Sequence, residues 1–89
     1  MNLEQIRKQI DKIDDDILKL LLERMECSRL IAKIIYEKNI PIFDKIREQE
    51  IFDDVKLKSE DNYKYVFPIF LEILNSSKTL QKEITKNSK

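Results

Sequence analysis

The stretch that decides the fold is LEQIRKQIDKIDDDILKLLLERMECSRLIAKIIYEK, residues 3–38. Apolar side chains recur along it in alternating steps of three and four residues, which places them on one face of a single helix. This apolar face comprises Leu3, Ile6, Ile10, Ile13, Ile17, Leu20, Cys27, Ile31 and Ile34. The pattern predicts a helix from about Leu3 to about Lys38, roughly 50 Å long at 1.5 Å per residue.

Arg24 interrupts this apolar face in its middle. A guanidinium is always charged, and it is costly to hold on an apolar face unless an anionic group meets it there. Two interpretations stay open from this residue alone. Arg24 binds a negatively charged ligand, or it reaches the surface or pairs with a structural carboxylate such as Glu23.

The composition limits the classes of fold and function. The chain has 89 residues, no glycine and two prolines, which predicts one small all-α domain over residues 1–89 without hairpins, phosphate loops or dinucleotide motifs. Its 17 acidic and 17 basic residues balance, so no nucleic-acid or membrane partner is expected. The N-terminus lacks the features of a signal peptide, and the expected location is therefore cytoplasmic.

The chemistry available to the chain is also limited by its composition. There is no histidine, so histidine-assisted nucleophiles and most zinc sites are not expected, and neither a metal nor a cofactor is predicted. The lone cysteine, Cys27, lies on the apolar face. We expect it to be a small core residue rather than a nucleophile.

Two shorter helices are expected after the long one. Pro41 ends the first helical pattern, and Asn39 can adopt the left-handed conformation that lets the chain leave the helix. The second helix is predicted to begin near Asp44, a good N-cap. Its candidates for inward-facing positions are Ile51, Val55 and Phe52.

The third helix is predicted from near Lys64 to about Ile84, after a polar connection at residues 59–62. It accepts Pro68 in or near its first turn. The tail at residues 85–89 is expected to be frayed. The apolar face of this helix comprises Val66, Phe70, Ile73, Ser77, Leu80 and Ile84.

The first helix is too long and too apolar for two shorter helices of the same chain to cover. A homodimer that pairs the first helices is the simplest remedy. Arg7 and Arg24 are about 25 Å apart along the helix, too far to bind one small molecule together. In an antiparallel pair with its two-fold axis near Asp15 and Asp16, however, Arg7 of one chain comes level with Arg24 of the other. Alone, Arg7 could equally form a surface pair with Asp11.

Other polar residues fit the same kind of pocket. In the first turn of the second helix, Arg47 lies between the carboxylates of Asp44 and Glu48; a capping aspartate and a solvated arginine are the simpler interpretation. On the third helix, Ser77 interrupts the apolar face and Gln81 follows one turn later. A buried serine commonly bonds back to its own helix, so each signal alone is weak.

Taken in order, these segments resemble the all-helical, AroQ-class chorismate mutases. The resemblance runs from Leu3 to about Ile84 and rests on IRKQIDKID at 6–14, LLLERME at 20–26, IPIFDKIREQEI at 40–51 and PIFLEILNSSKTLQ at 68–81. It implies an intertwined helical homodimer with two active sites, each completed by an arginine of the neighbouring chain. It also implies the Claisen rearrangement of chorismate to prephenate, on the way to phenylalanine and tyrosine.

The resemblance further implies a role for each polar residue. Arg24 and Arg7 of the other chain bind the two substrate carboxylates, and Gln81 donates toward the ether oxygen, where negative charge develops. The remaining roles are ordering of the site by Arg47, binding of the substrate hydroxyl by Asp44 and Glu48, and support of a carboxylate by Ser77. A single concerted step of this kind requires positioning and charge stabilisation, which suits a chain without histidine.

The sequence departs from the family at position 35, where the resemblance implies a substrate-binding lysine and the chain has Ile35. Lys33 points away from the site, and Lys38 is about 60° off and nearly a turn further along. Losing one donor at a developing oxyanion costs about 10²–10³ in rate, so reduced mutase activity is expected. The alternative, equally open, is that Gln81 with Lys38 or a water preserves useful activity.

Two other functions stay open. One is a lyase on the same fold that splits pyruvate from isochorismate; it normally depends on the same lysine. The other is a non-catalytic helical dimer that binds a dicarboxylate or docks with a partner enzyme.

Overall fold

The architecture is that of a computed structural model, which describes residues 1–87. Helix α1 spans Leu3–Lys38, α2 spans Lys45–Ser59 and α3 spans Tyr63–Asn87. No strand occurs among the described residues. The prediction of an all-α fold is confirmed.

The expectation of three helices separated by two connections is wrong at the second connection. Residues 60–62 form a 3-10 turn that runs directly from α2 into α3. The chain bends at Glu60, which has φ 54° and ψ −127°. Residues 60–62 include neither glycine nor proline, so helical hydrogen bonding resumes at once. The chain therefore has two continuous helical stretches, 3–38 and 45–87, of which the second is bent.

Both ends of α1 follow from its flanking residues. At the start, the Asn2 side chain accepts from the Gln5 N–H, while the Gln5 side chain accepts from the Asn2 N–H, each at 2.9 Å. This capping box satisfies N–H groups that have no partner within the helix. At the other end, Asn39 adopts the left-handed conformation with φ 57° and ψ 42°. The predicted bounds and exit of this helix are confirmed.

The second helical stretch agrees with the sequence at its start and differs further along. Asp44 caps α2 by accepting from the Arg47 N–H at 3.0 Å, as predicted. Pro68 lies in the second turn of α3 rather than in its first. The helix also runs to Asn87, beyond the predicted end at Ile84. Residues 88–89 of the expected frayed tail lie outside the described residues.

Helix α3 packs against both α1 and α2, yet the chain buries little apolar surface. The buried apolar side chains are Ala32, Val55 and Leu74, and the buried polar ones are Ser28 and Gln81. Phe67 stacks between Phe52 and Tyr63, with ring centroids 5.0 and 5.5 Å away. Such a core is small for a domain of this length.

The first half of α1 contributes nothing to this core. Every residue from 1 to 20 is exposed, and burial on α1 begins at Leu21. Cys27 is exposed as well, which corrects the expectation that it is a core residue. No helix within residues 1–87 has the length and apolarity needed to cross a membrane.

The shape of the chain is elongated. Its extents are 55 × 25 × 14 Å and its radius of gyration is 16.3 Å, against about 12 Å for a compact domain of this length. The accessible surface is 7642 Å², whereas a compact monomer of this mass exposes about 5,500 Å². Residues 1–20, which are all exposed, contribute to this excess.

Candidate active site

A pocket of about 440 Å³ lies where the second half of α1, the loop before α2, the first turns of α2 and the second half of α3 meet. It is the place where the site residues expected from the sequence come together. Seven of the eight line it: Arg24, Ile35, Asp44, Arg47, Glu48, Ser77 and Gln81. The eighth, Arg7, does not.

The α1 wall of the pocket is built by helical spacing. Arg24, Ser28, Ile31 and Ile35 follow one another in steps of four, three and four residues, so they share one face. Arg24 is half-buried there, and its guanidinium makes no ion pair among the described residues, including with Glu23. A planar cationic fork without a protein partner is suited to bind a carboxylate.

The charged residues at the start of α2 have different partners. Asp44 serves as the N-cap, so the simpler interpretation of this residue is confirmed. Arg47 turns toward Glu50, with Nη1 3.4 Å from Oε2, and the two side chains are about two-thirds exposed (66% and 61%). An exposed pair of this kind contributes at most about 1 kcal/mol, so Arg47 is available to an anionic ligand at small cost.

Helix α3 contributes a short chain of hydrogen bonds. The Ser77 hydroxyl lies 2.5 Å from the Ser28 hydroxyl on α1, and Gln81 Nε2 donates to Ser77 Oγ at 3.3 Å. Ser28 and Gln81 are among the buried polar residues, at 3% and 7% exposure. The bond between the two serines crosses from α3 to α1, and the bond between Gln81 and Ser77 lies within α3. The alternative drawn from the sequence was a bond from Ser77 back to its own helix.

Sequence reasoning missed Ser28. The signal was present, since Ser28 stands one helical turn after Arg24 and one turn before Ala32, which is fully buried. Two small residues one turn apart let two helices approach closely. The hydroxyl of Ser28 then bonds to the hydroxyl that faces it on α3.

Position 35 is apolar, like several other residues of the pocket lining, among them Ile31, Ile42 and Leu74. Ile35 is half-buried and forms part of the wall. Lys38 is exposed and stands outside the lining within residues 1–87, so the structure does not bring it to the site. The third cation of the pocket is instead Lys78 on α3, whose Nζ lies 2.9 Å from Glu48 Oε2.

Sequence reasoning missed Lys78 as well. It directly follows Ser77 and precedes Gln81 by three residues, a spacing that puts it beside the same helix face. The orientation of the Lys78 side chain depends on Glu48, which lies on another helix. The periodicity of α3 cannot predict a partner on another helix.

Arg7 stands apart from the other predicted residues. It lies on the exposed first half of α1 and forms no ion pair with Asp11 among the described residues. The distance from Arg7 to Arg24 is about 25 Å along one continuous helix. Within a single chain, Arg7 therefore cannot meet a small ligand bound at the pocket.

The balance of charge in the lining favours an anion. Three cations, Arg24, Arg47 and Lys78, face two carboxylates, Asp44 and Glu48. Among residues 1–87, no group of three or more His, Cys, Asp or Glu could hold a metal ion. The arrangement offers several hydrogen-bond donors around a partly apolar space, which suits a small anionic molecule with apolar parts.

Comparison with known proteins decides the family. The family described as chorismate mutase type II matches residues 6–82, which is most of the chain. The chain belongs to this family. Its relatives include a bifunctional chorismate mutase/prephenate dehydratase of Aquifex aeolicus, 38% identical over 88 residues. They also include a chorismate mutase of Methanocaldococcus jannaschii, 40% identical over 84 residues.

The two relatives differ in how much of them the chain covers. The match takes in 92% of the chain and 24% of the bifunctional Aquifex protein, so the chain spans about a quarter of that relative. It takes in 91% of the chain and 85% of the Methanocaldococcus chorismate mutase. No solved structure matches the chain.

Proposed function

We propose that the chain is a chorismate mutase, which converts chorismate to prephenate in the synthesis of phenylalanine and tyrosine. One observation carries the proposal. In a member of the type II family, seven of the eight residues expected to serve this substrate line one pocket. The rearrangement fits a site that binds an anion and offers no nucleophile of the histidine-assisted kind.

In the proposed mechanism, residues from different walls of the pocket bind the substrate and stabilise the developing charge. Arg24 binds one substrate carboxylate, and Arg47 leaves its exposed pair with Glu50 to order the mouth of the site. Gln81 donates toward the ether oxygen as the C–O bond breaks and the C–C bond forms. It is buried, so its amide acts away from bulk water, where a donor stabilises charge more strongly.

The α2 turn and the two serines position rather than drive the reaction in this proposal. Glu48 and Asp44 accept from the substrate hydroxyl. Ser77, held by Ser28 at 2.5 Å, supports a carboxylate and fixes the position of the Gln81 amide. Apolar walls, among them Ile35, press the substrate into the compact conformer from which the two reacting carbons can join.

The functional unit is proposed to be an intertwined homodimer that pairs the α1 helices. The exposed residues of 1–20 include Leu3, Ile6, Ile10, Ile13 and Ile17, and the chain exposes about 2,100 Å² more than a compact monomer. Interfaces of obligate dimers bury about 2,000–5,000 Å². An antiparallel pairing brings Arg7 of one chain to the pocket of the other, where it binds the second carboxylate. Residues 1–89 then act as one domain, and a cytoplasmic location stays a prediction.

The test is the steady-state conversion of chorismate to prephenate, with two arginine variants of α1. Arg24→Ala is expected to lower kcat/KM by about 10²–10³, because it removes a charged donor from the substrate. Arg29→Ala is the matched control, since Arg29 is exposed and pairs with Glu26 on the surface. Its kcat/KM is expected to stay within about twofold of the unmodified chain.

The outcomes separate the alternatives. Absence of prephenate formation in the unmodified dimer contradicts the proposed activity. Release of pyruvate from isochorismate in the same assay identifies the lyase instead. Binding of chorismate without any turnover identifies the non-catalytic dimer.

A further inference from the structure

Lys78 makes an ion pair unlike the others found within residues 1–87. The pairs Lys8–Glu4, Arg29–Glu26, Arg47–Glu50 and Lys58–Asp54 each lie within one helix, on exposed side chains. Lys78 and Glu48 join α3 to α2, and their side chains are only 24% and 19% exposed. The pair is therefore part of the pocket wall and not of the outer surface.

The Lys78 ammonium has donors to spare. It carries three N–H groups, of which one is directed to Glu48 at 2.9 Å. Nζ also lies 5.1 Å from the ring centroid of Phe43, a contact that holds a cation without consuming a hydrogen bond. Glu48 is its only carboxylate partner in the described part of the chain. The remaining donors are free for a ligand oxygen.

The charge of the pocket depends on this lysine. Within one chain, the lining carries three cations and two carboxylates. Without Lys78, two of each remain, and the only surplus cation for a dianion is then Arg7 of the other chain in the proposed dimer. The neighbouring α1 wall supplies no replacement, because Ile35 is apolar and Lys38 is outside the lining. Glu48 uses only one of the three donors of the Lys78 ammonium. The charge and the other donors of this partly buried group therefore stay available to a bound anion.

We propose that Lys78 is a substrate-binding residue, which directs its ammonium at an anionic oxygen of the bound dicarboxylate while Glu48 and Phe43 hold it in place. The third cation of this site thus comes from α3, and position 35 on α1 is free to be apolar. Glu48 has a double role, as acceptor for the substrate and as the positioning partner of Lys78. This inference rests on the proposed function for the identity of the dicarboxylate.

The first experiment compares Lys78→Met, Lys78→Arg and Lys82→Met in the full chain, with kcat and KM for chorismate measured separately. Lys78→Met is expected to lower kcat/KM by about 30-fold or more, since it removes a charged donor. Lys78→Arg retains a larger share, because the charge stays. Lys82 is exposed on the same helix and outside the lining, so Lys82→Met is the matched control, expected within about twofold.

The second experiment separates substrate binding from a purely structural bridge between α2 and α3. Ile35→Lys is introduced into the Lys78→Met chain, where it adds a cation to the pocket from α1 in place of the one removed from α3. A recovery of about tenfold or more in kcat/KM supports the proposal, because a lysine on α1 restores charge to the ligand. An unchanged kcat/KM in Lys78→Met overturns it. So does a loss that neither Lys78→Arg nor Ile35→Lys relieves.

If the proposed function is wrong, the role of Lys78 is tested by ligand binding instead of by activity. If the unmodified chain forms no prephenate, the binding of chorismate is measured by calorimetry on the unmodified chain and on Lys78→Met. Affinity at least about tenfold weaker in the variant supports Lys78 as a ligand-binding residue of a non-catalytic site. Equal affinities overturn the inference about Lys78.

Discussion

The two halves of α1 carry the same apolar spacing and have different environments. From 21 to 35, the helix packs on α3, buries Ser28 and Ala32, and lines the pocket with Arg24. From 3 to 20, every residue is exposed, and the isoleucines are 40–55% exposed. The apolar spacing of a helix therefore shows which of its faces needs a packing partner. It does not show which element packs there.

The same division separates the candidate site into two parts. The packed half holds every expected site residue of α1 except Arg7, which lies on the exposed half. In the proposed dimer, the exposed half of one chain completes the pocket of the packed half of the other.

The largest effect is expected from placing a charge on the uncovered apolar face. Ile17→Glu brings two carboxylates together near the proposed two-fold axis, where apolar groups would otherwise meet. We expect loss of the dimer in sedimentation equilibrium and a fall of about 10³ or more in kcat/KM, because the partner arginine leaves the site. The control is Lys19→Glu, an exposed position off the apolar face, which should preserve both. A stable, fully active Ile17→Glu monomer contradicts the shared site.

A second, slightly smaller effect tests the sharing directly. Arg7→Ala and Arg24→Ala each disable both sites of a homodimer, by about 10²–10³ in kcat/KM. When the two variants are unfolded together and refolded as a mixture, half of the dimers contain one site with both arginines. Activity is expected to return to about a quarter of that of the unmodified protein. No recovery on mixing would place Arg7 outside the site of the other chain.

The packed half is tested at Ser28. Ser28→Ala removes the bond across to Ser77, so the Ser77 hydroxyl keeps the Gln81 amide as a donor but loses its buried partner on α1. We expect the free energy of unfolding to fall by about 1–3 kcal/mol, measured by urea denaturation. Ser76 is exposed, precedes Ser77 on α3 and lies outside the lining of the candidate site. It gives the control Ser76→Ala, for which a change within about 0.5 kcal/mol is expected. Equal effects at the two serines would contradict the role of Ser28.

The sequence predicts those features that local rules govern. The bounds of α1, the left-handed Asn39 and the cap at Asp44 each depend on a few neighbouring residues, and the structure confirms all three. Seven residues of the candidate site also fall into one pocket, because helical spacing orients most of them. The family resemblance supplied their roles, which spacing alone does not provide.

The features that were missed depend on contacts between helices. Lys78 faces the pocket because Glu48 on α2 and Phe43 in the loop hold it there. Ser28 shares a helix face with Arg24, but the hydroxyl that it bonds to, Ser77, lies on another helix. Cys27 was expected in a core, and it is exposed, because an apolar helix face does not by itself specify which element packs on it. In each case the missing information was the identity of the neighbouring element.

The smallest effect concerns the capping box at the free end of α1. Asn2→Ala removes the side-chain acceptor for the Gln5 N–H, a change worth about 1 kcal/mol at a helix N-terminus. Because residues 3–20 have no support within the chain, the loss should appear as faster amide hydrogen exchange at about residues 3–10. Exchange between residues 24 and 35 should stay unchanged, since α3 protects that half. The contrast is expected to be greatest in the Ile17→Glu background, where no second chain supports the exposed half. Uniform acceleration along the whole of α1 would show that the helix opens as one unit, and the two halves would then differ in burial but not in stability.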